Sequence, residues 1–202
     1  MTDFSAENKR RFAKAELGAE LLRKCIHMLI ALVPSLAALG RSNAALLLMA
    51  GILFYSCAES LRFLEFSLPL ISSVTRTVSR KREQGHFALA PVTLGLGALI
   101  ALIIFPPPQA AAAIYALAFG DSASTIAGKF LGRLRPAFLS GKSVEGSFAC
   151  FTASALVAYL VFFDLKTSFA VGFASLLVDA LPLREFDNIL LPLAAGFAAL
   201  VF

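Results

Sequence analysis

The 202-residue sequence has no tryptophan, only three cysteines, and charged residues at only 15% of its positions. A soluble domain carries about 25% charged residues, so this shortage argues against an ordinary globular core, a disordered chain and a basic nucleic-acid-binding domain. The cysteines have no spacing typical of metal or redox motifs, which favours buried thiols over a disulfide framework. Without tryptophan, the aromatic belt that often marks the membrane surface cannot define the depth of any span.

Hydrophobic residues are abundant instead, at 58% of the chain, and the mean hydropathy is +0.80. This composition predicts an all-α polytopic membrane protein. A spanning helix needs about 20 mainly apolar residues, and several of the apolar segments are shorter, so we expect each to extend a turn into its flanks. We predict seven spans, or six if the sixth segment is tilted or broken: Cys25–Leu39, Ala44–Ala58, Phe87–Phe105, Ala110–Ile126, Phe148–Phe163, Ser168–Leu181 and Ile189–Phe202.

Two further segments predict helices that lie on the membrane surface. Residues 3–24 are polar with apolar positions at helical spacing, and Phe63–Val74 is apolar but too short to span. We therefore expect a cytoplasmic N-terminal segment over 1–24 and a single transmembrane catalytic domain over 25–202.

The lysines and arginines predict the orientation. With the N-terminus in the cytoplasm, sixteen of the eighteen basic residues fall in inside segments, and only Arg41 and Lys166 fall outside. This strong positive-inside bias predicts a multi-pass protein of the cell's inner membrane. The inside loops are also the long ones, so we expect the active site on the cytoplasmic face.

The segment Gly120–Arg133 has the richest chemistry. Asp121 follows an apolar run, and an acid within the membrane is costly unless it has a partner or a cation. Gly128 and Gly132 would let phosphate approach the backbone, and Lys129 and Arg133 would supply positive charge beside it. The same small residues at GxxxG spacing are equally typical of helix packing, and the acid favours a functional interpretation.

A second candidate is the loop around Lys142, which is followed by Ser143, Glu145 and Ser147. It lacks the upstream glycine and the preceding strand of a P-loop, so a Walker site is excluded. A lysine brought to a phosphate and a lysine that reaches the surface beside a helix cap are both compatible with this loop.

Smaller polar groups recur at the same boundary of the other spans. Each alone is more typical of an interfacial anchor or a helix cap, but together they predict a polar site on one membrane face. Asp179, inside the sixth segment, is a second costly acid. The groups are Arg23 with Lys24 and His27, Glu59 with Arg62, Glu83 with Gly85 and His86, and Asp187 with Asn188.

Taken in their order along the chain, these motifs resemble those of the polyprenol kinase family, which includes dolichol kinase, phytol kinase and CTP-dependent diacylglycerol kinase. The resemblance covers about residues 20–195, and it departs from the family at Asp179, where glutamate is expected. The motifs are Arg23-Lys24-x-x-His27, Glu59-x-x-Arg62, Gly120-Asp121 with Ala123, Gly128 and Gly132-Arg133, Lys142-Ser143-Val-Glu145-Gly146-Ser147, and Asp187-Asn188 with Pro192.

The resemblance implies transfer of a phosphoryl group, commonly from CTP, to a lipid alcohol such as polyprenol, phytol or diacylglycerol. It implies Mg²⁺ on Asp121, with Asp187 as a second ligand or as the base, and His27 or His86 as alternative bases. The remaining motif residues would hold the nucleotide: Gly128, Lys129, Gly132, Arg133, Lys142, Ser143, Glu145, Asn188, Arg23, Lys24, Glu59 and Arg62.

Two other functions stay open. A phosphatidate cytidylyltransferase would use CTP with the same multi-span design, but the region Val178–Asn188 lacks the motif that those enzymes carry near the C-terminus. A transporter component would place polar groups at mid-membrane and often show inverted repeats, and neither is visible. The expected partners are a nucleoside triphosphate, a lipid alcohol and the bilayer, with no nucleic acid.

Overall fold

The computed structural model describes residues 18–64, 87–139 and 141–202, apart from the side chains of Phe63 and Phe138. Over these ranges the chain is helical and has no strand. Most of the segment 3–24, the segment Phe63–Val74 beyond Leu64, and His86 lie outside the described residues. The helices are α1 (Gly18–Leu39), α2 (Arg41–Phe63), α3 (Ala90–Ile104), α4 (Pro107–Phe130), α5 (Val144–Phe162), α6 (Leu165–Ala180) and α7 (Asp187–Val201).

Each of the seven predicted apolar segments forms a helix, but only four helices are long and apolar enough to cross a membrane. These are α1, α2, α4 and α5. The other three have 15 or 16 residues and span about 22–24 Å, less than the roughly 30 Å of a hydrocarbon core. The described part of the chain is therefore all-helical, with four helices of membrane-spanning length and composition, and the predicted count of seven spans is not confirmed.

Most helices extend beyond their apolar segments, as expected, and polar side chains cap the first turns of α5 and α6. The Ser143 side chain accepts a hydrogen bond from the Gly146 N–H at the start of α5. The Asp164 side chain accepts one from the Thr167 N–H at the start of α6. An N-cap satisfies backbone donors that a helix leaves without partners, so each helix begins at its polar flank.

The described residues divide into two compact units. Of the described residues, the first comprises 18–26, 58–64 and 87–88, and the second comprises 27–57, 89–139 and 141–202. In the second unit, small residues allow close helix approach; a Cβ on Gly97 of α3 would overlap the Asn188 backbone oxygen of α7. Only Cys150 of the three predicted buried thiols is buried, because Cys25 and Cys57 lie on outer helix faces.

Candidate functional site

Helix α4 changes its winding just before Asp121. It is α-helical over Pro107–Tyr115, a π-helix over Ala116–Gly120, and α-helical again from Asp121. A Cβ on Gly120 would overlap the Ser154 hydroxyl of α5, so glycine is needed for the two helices to meet here. A π-helical turn inserts an extra residue and often marks a functional site, because it turns the following side chains to a new direction.

The Asp121 carboxylate lies beside His27 of α1. His27 Nε2 is 3.3 Å from Asp121 Oδ2 and 3.2 Å from the Leu117 backbone oxygen, and both side chains are buried. The structure thus brings together two predicted site residues that are 94 positions apart. A histidine held by a carboxylate and a carbonyl has a defined orientation, which is what proton transfer requires.

Asp179 of α6 is the centre of a buried polar network that spans three segments. Its side chain is 2% exposed and accepts hydrogen bonds from Ser124 Oγ of α4 at 2.9 Å and from Ser147 Oγ of α5 at 2.8 Å. Lys142 Nζ completes the set at 3.3 Å. A buried carboxylate is tolerated only with such partners. From the sequence, Asp179 was expected to be a costly acid within the membrane, but it was not among the predicted site residues.

Lys142 joins Asp179 to a second carboxylate, because its Nζ also lies 3.6 Å from Asp187 Oδ2. Burial acts to lower the pKa of Lys142, but the charges of Asp179, Asp187 and Asp121 outweigh it and raise the pKa above the ordinary lysine value. We call His27, Asp121, Lys142, Asp179 and Asp187 the lysine–acid cluster. Within it, Lys142 stays protonated at neutral pH and presents a fixed positive charge.

The loop that carries Lys142 is clamped by an arginine that the sequence did not single out. Arg135 Nη1 donates to the Gly141 oxygen and Nη2 donates to the Gly128 oxygen, both at 2.6 Å. Gly141 has φ +93°, a left-handed conformation that favours glycine. The loop is therefore tied to the end of α4, with Lys142 directly after its turn.

Two predicted nucleotide-binding residues act on the backbone in this structure. Glu145 Oε1 accepts hydrogen bonds from the N–H groups of Arg133 at 3.0 Å and Leu134 at 3.1 Å. Ser143, which is buried, caps α5 through the Gly146 N–H at 3.0 Å. Both residues hold the loop in shape next to Lys142, and their predicted role in binding a nucleotide stays a prediction.

The glycines of the richest motif lie where α4 meets the start of α5. A Cβ on Gly128 would lie 3.1 Å from Ser143 Oγ, and one on Gly146 would lie 2.8 Å from the Ser124 backbone oxygen. Helix α4 ends at Phe130, so Gly132 lies beyond the helix that carries Asp121 and Gly128. Close packing explains Gly128 here, and phosphate approach to Gly128 and Gly132 stays a prediction.

Asn188 anchors α7 to α3. Its Nδ2 donates to Thr93 Oγ1 at 3.0 Å and to the Ala90 oxygen at 3.4 Å, and the side chain is buried. It therefore fixes the position of its neighbour Asp187, which contacts Lys142. The predicted contact of Asn188 with the nucleotide stays a prediction, and its partner Thr93 was not among the predicted site residues.

The motif residues of the first unit form their own ion pairs. The buried Glu59 receives two hydrogen bonds from Arg62, at 2.6 and 2.8 Å, and one from the Ala88 N–H at 2.9 Å. Arg23 pairs with Glu20 at 2.8 Å, and Lys24 is buried. The predicted pairing of Glu59 with Arg62 is confirmed, and the nucleotide-binding role of these four residues stays a prediction.

Lys129 and Arg133 are exposed near the end of α4 and add positive charge in the second unit. Among the residues that the structure describes, no three or more histidine, cysteine, aspartate or glutamate side chains are grouped to hold a metal ion. Mg²⁺ in phosphoryl-transfer sites is commonly held by one or two carboxylates plus substrate phosphates, a donor set that Asp121 and Asp187 match in kind. His86, the other predicted base, lies outside the described residues.

Taken together, the second unit presents three carboxylates, an oriented histidine and a charged lysine, held by hydroxyl and backbone contacts. Such a site can bind anionic oxygens and can move a proton. No protein-family model, curated protein or solved structure matches this chain.

Proposed function

We propose that the chain is a membrane-embedded kinase that transfers the γ-phosphate of a nucleoside triphosphate, with CTP as the expected donor, to the hydroxyl of a lipid alcohol. Polyprenol, phytol and diacylglycerol are the acceptors that the sequence motifs suggest. The observation that carries the proposal is the position of Lys142 Nζ, which lies 3.3 Å from Asp179 Oδ1 and 3.6 Å from Asp187 Oδ2. The negative charge of Asp121 also acts on this lysine.

The chemistry of phosphoryl transfer supports this assignment. The reaction needs little covalent help from the protein and depends on positioning and on neutralising charge that spreads over the phosphoryl oxygens. Lys142 is charged and fixed by Asp179, so it would meet those oxygens without having to reorganise. Lys129 and Arg133 would contact the remaining phosphates from the exposed side.

The two carboxylates fit a magnesium ion that arrives with the nucleotide. Asp121 and Asp187 would hold it, and the ion would supply charge neutralisation at the phosphates when bound. Asp179 has a different task, because its oxygens already accept hydrogen bonds from two serines and Lys142. We therefore assign Asp179 to positioning and leave metal binding to the other two acids.

In the proposed reaction, the acceptor hydroxyl oxygen forms a bond to the γ-phosphorus while the bond from that phosphorus to the β-phosphate oxygen breaks. The nucleoside diphosphate leaves, and the hydroxyl proton passes to the His27–Asp121 pair. His27 is suited to this role because its ring is held by two acceptors, Asp121 and the Leu117 oxygen.

An apolar groove in the second unit could take the hydrocarbon tail of the acceptor. It has a volume of about 230 Å³ and lies between α1, α2 and α3, with Val33, Leu47 and Leu94 among its lining residues. Its wall reaches Pro91, two residues before Thr93, whose hydroxyl holds Asn188. A tail in this groove would bring the hydroxyl of the same lipid towards the level of Asp187.

The donor and the bond that breaks are tested together with labelled nucleotides. Detergent-purified chain is incubated with Mg²⁺, with CTP labelled at either the γ or the α position, and with polyprenol, phytol or diacylglycerol. We expect label in the lipid from the γ position only. Transfer from the α position onto phosphatidate would overturn the proposal in favour of a cytidylyltransferase, and solute flux without nucleotide turnover would favour a transporter.

The site is tested with a matched pair of acid-to-amide substitutions. Asp121→Asn should lower kcat by at least about a thousandfold, as expected when a charged group that acts on the transferred phosphoryl is lost. Asp164→Asn changes an exposed acid at the start of α6, far along the chain from the cluster, and should leave kcat unchanged. Full activity in Asp121→Asn would show that the reacting groups lie elsewhere.

A further inference from the structure

A second groove in the second unit lies away from the lysine–acid cluster. Its volume is about 660 Å³, and it is bounded by the end of α1, the first turns of α4 and the last turns of α5, with Arg41 at its edge. The wall is mainly small or aliphatic, and two hydroxyl side chains interrupt it. Its lining includes Ser35, Ala38, Arg41, Ala111, Tyr115 and Leu160.

Arg41 is held at this groove by backbone carbonyls. Its Nη2 donates to the Phe105 oxygen at 2.6 Å and to the Leu102 oxygen, where α3 ends. A helix C-terminus has carbonyls without internal partners, and a cation there is favourable. The guanidinium is thus fixed in place by one of its nitrogens alone.

The other donors of Arg41 remain available. In the ranges 18–64, 87–139 and 141–202, its Nε–H and Nη1–H groups have no acceptor. Each of these N–H groups can donate a charge-assisted hydrogen bond to a phosphate oxygen. In an apolar setting the charge also favours an anionic partner.

We propose that this groove binds a phospholipid, with its phosphodiester on Arg41 and one acyl chain along the groove. The positive charge at the edge and the apolar wall match the two parts of such a lipid. From Pro107 to Tyr115 the wall follows α4 for about 12 Å, enough for a substantial part of an acyl chain. The Ser35 and Tyr115 hydroxyls would face the polar ester region or the chain's edge.

This site is separate from the proposed kinase site. Arg41 lies at the Pro107 end of the groove, and Pro107 is fourteen positions before Asp121, which corresponds to about 21 Å along the helix; the apolar end of the groove reaches Tyr115, six positions before Asp121. The lipid here is therefore neither donor nor acceptor in the proposed reaction. Its binding can be measured without nucleotide, so the failure of either proposal leaves the other standing.

Binding is tested by native mass spectrometry of the detergent-purified chain titrated with dioleoyl phosphatidylglycerol. A monogalactosyl diacylglycerol with the same chains serves as the lipid without phosphate. Arg41→Gln removes the charge, and Ala38→Phe fills the groove from an exposed position while leaving the carbonyl contacts of Arg41 intact. Ala50→Phe adds the same ring on an exposed face of α2 and is the matched control.

We expect one tightly retained phosphatidylglycerol per chain, and affinity about tenfold lower in Arg41→Gln, the loss expected for a charge-assisted hydrogen-bonded contact. Ala38→Phe should lose most of the binding even if Arg41→Gln fails to fold, and Ala50→Phe should keep it. Equal retention of the galactolipid, full retention in Ala38→Phe, or displacement by equimolar glycerol 3-phosphate would overturn the proposal.

Discussion

In the second unit, the polar side chains near the two ends of α3 obtain their hydrogen-bond partners in different ways. At one end of α3, Thr93 holds Asn188, next to the acid that contacts Lys142; at the other end, Arg41 rests on the carbonyls where α3 stops. The first arrangement depends on side chains from α3, from α7 and from the loop that carries Lys142, and the loss of one member disturbs the others. The second uses backbone groups that exist in any helix. Mutual dependence among side chains therefore marks the end where chemistry is expected.

The largest effect should come from breaking the network at its centre. Asp179→Ala leaves Lys142, Ser124 and Ser147 without their shared acceptor, and we expect a loss of about 3–5 kcal/mol in the free energy of unfolding. Adding Lys142→Met removes the lysine that has lost the nearer of its two carboxylate partners, and this second change should restore part of that stability but no kinase activity. Denaturant unfolding of both variants measures this, and simple additivity of the two losses would contradict the network.

An intermediate loss of stability is expected from a substitution that disturbs only apolar packing, at the end of the second unit away from the lysine–acid cluster. Gly196 of α7 faces the buried ring of Phe105, which meets Phe197 edge-on at a centroid distance of 5.0 Å, and a Cβ on Gly196 would overlap that ring. Gly196→Ala should cost about 1–3 kcal/mol of unfolding free energy and leave kcat per folded molecule unchanged. A second change, Phe105→Leu, relieves the overlap and should recover stability; a lowered kcat would mean that the two ends are coupled.

The two helix caps provide a closely matched comparison. Ser143 caps α5 beside Lys142, and Asp164 caps α6, where its oxygen accepts from the Thr167 N–H and hydroxyl at 2.7 Å. Ser143→Ala should cost about 1 kcal/mol and should also lower kcat/KM, because the loop that carries Lys142 loses its anchor. Asp164→Ala should lower Tm slightly with no change in kcat/KM, and equal kinetics in the two variants would remove the distinction.

The Asp164 cap also has a defined pH dependence. Hydrogen bonds from the backbone and side chain of Thr167 lower the pKa of Asp164 below its ordinary value. A depressed pKa means that the cap's stabilisation is present above the ordinary carboxyl pKa and is lost as pH falls through the folded value. The Tm difference between the wild type and Asp164→Ala should therefore be constant near neutral pH, and it should fall to zero only in strong acid.

The smallest change is expected from the titration of Lys142. Its pKa is raised by Asp179, Asp187 and Asp121 despite burial, so the stability that its charge contributes is complete below the ordinary lysine pKa and is lost only as pH rises through the higher folded value. Between pH 7 and 9, the Tm difference between the wild type and Lys142→Met should be flat, and it should narrow above about pH 10. Narrowing below pH 9 would mean that the lysine is not held by the acids.

Much of the helical architecture could be predicted locally. All seven apolar segments form helices, because continuous apolar sequence and boundary caps such as Asp164 act within one or two turns. The count of spans was not predictable to the same degree. Helices of 15 or 16 residues are too short by length alone, and packing against neighbours, rather than hydropathy, decides their place.

Four of the five residues of the lysine–acid cluster were predicted as site residues, all but Asp179, but the contacts between them were not predicted. Asp121 and Lys142 stand out because a charge in an apolar chain is costly and therefore conspicuous. Lys142 contacts Asp179, which is 37 positions away in the sequence, and His27 contacts Asp121, which is 94 positions away. No local sequence pattern predicts contacts between residues so far apart in the chain. The π-helical turn before Asp121 and the Arg135 clamp were also invisible, since both depend on contacts between segments.

By itself, the sequence determined that the chain is helical and of membrane-spanning type. Long apolar runs with few charges favour transfer from water into lipid, and a backbone without water forms its hydrogen bonds within a helix. Only the tertiary structure decided which charges meet, that Gly128 serves packing, that Asn188 anchors α7, and that Arg41 rests on the end of α3. Hydrophobicity is additive along a chain, whereas a buried ion pair exists only when two distant helices place its members within a few ångströms.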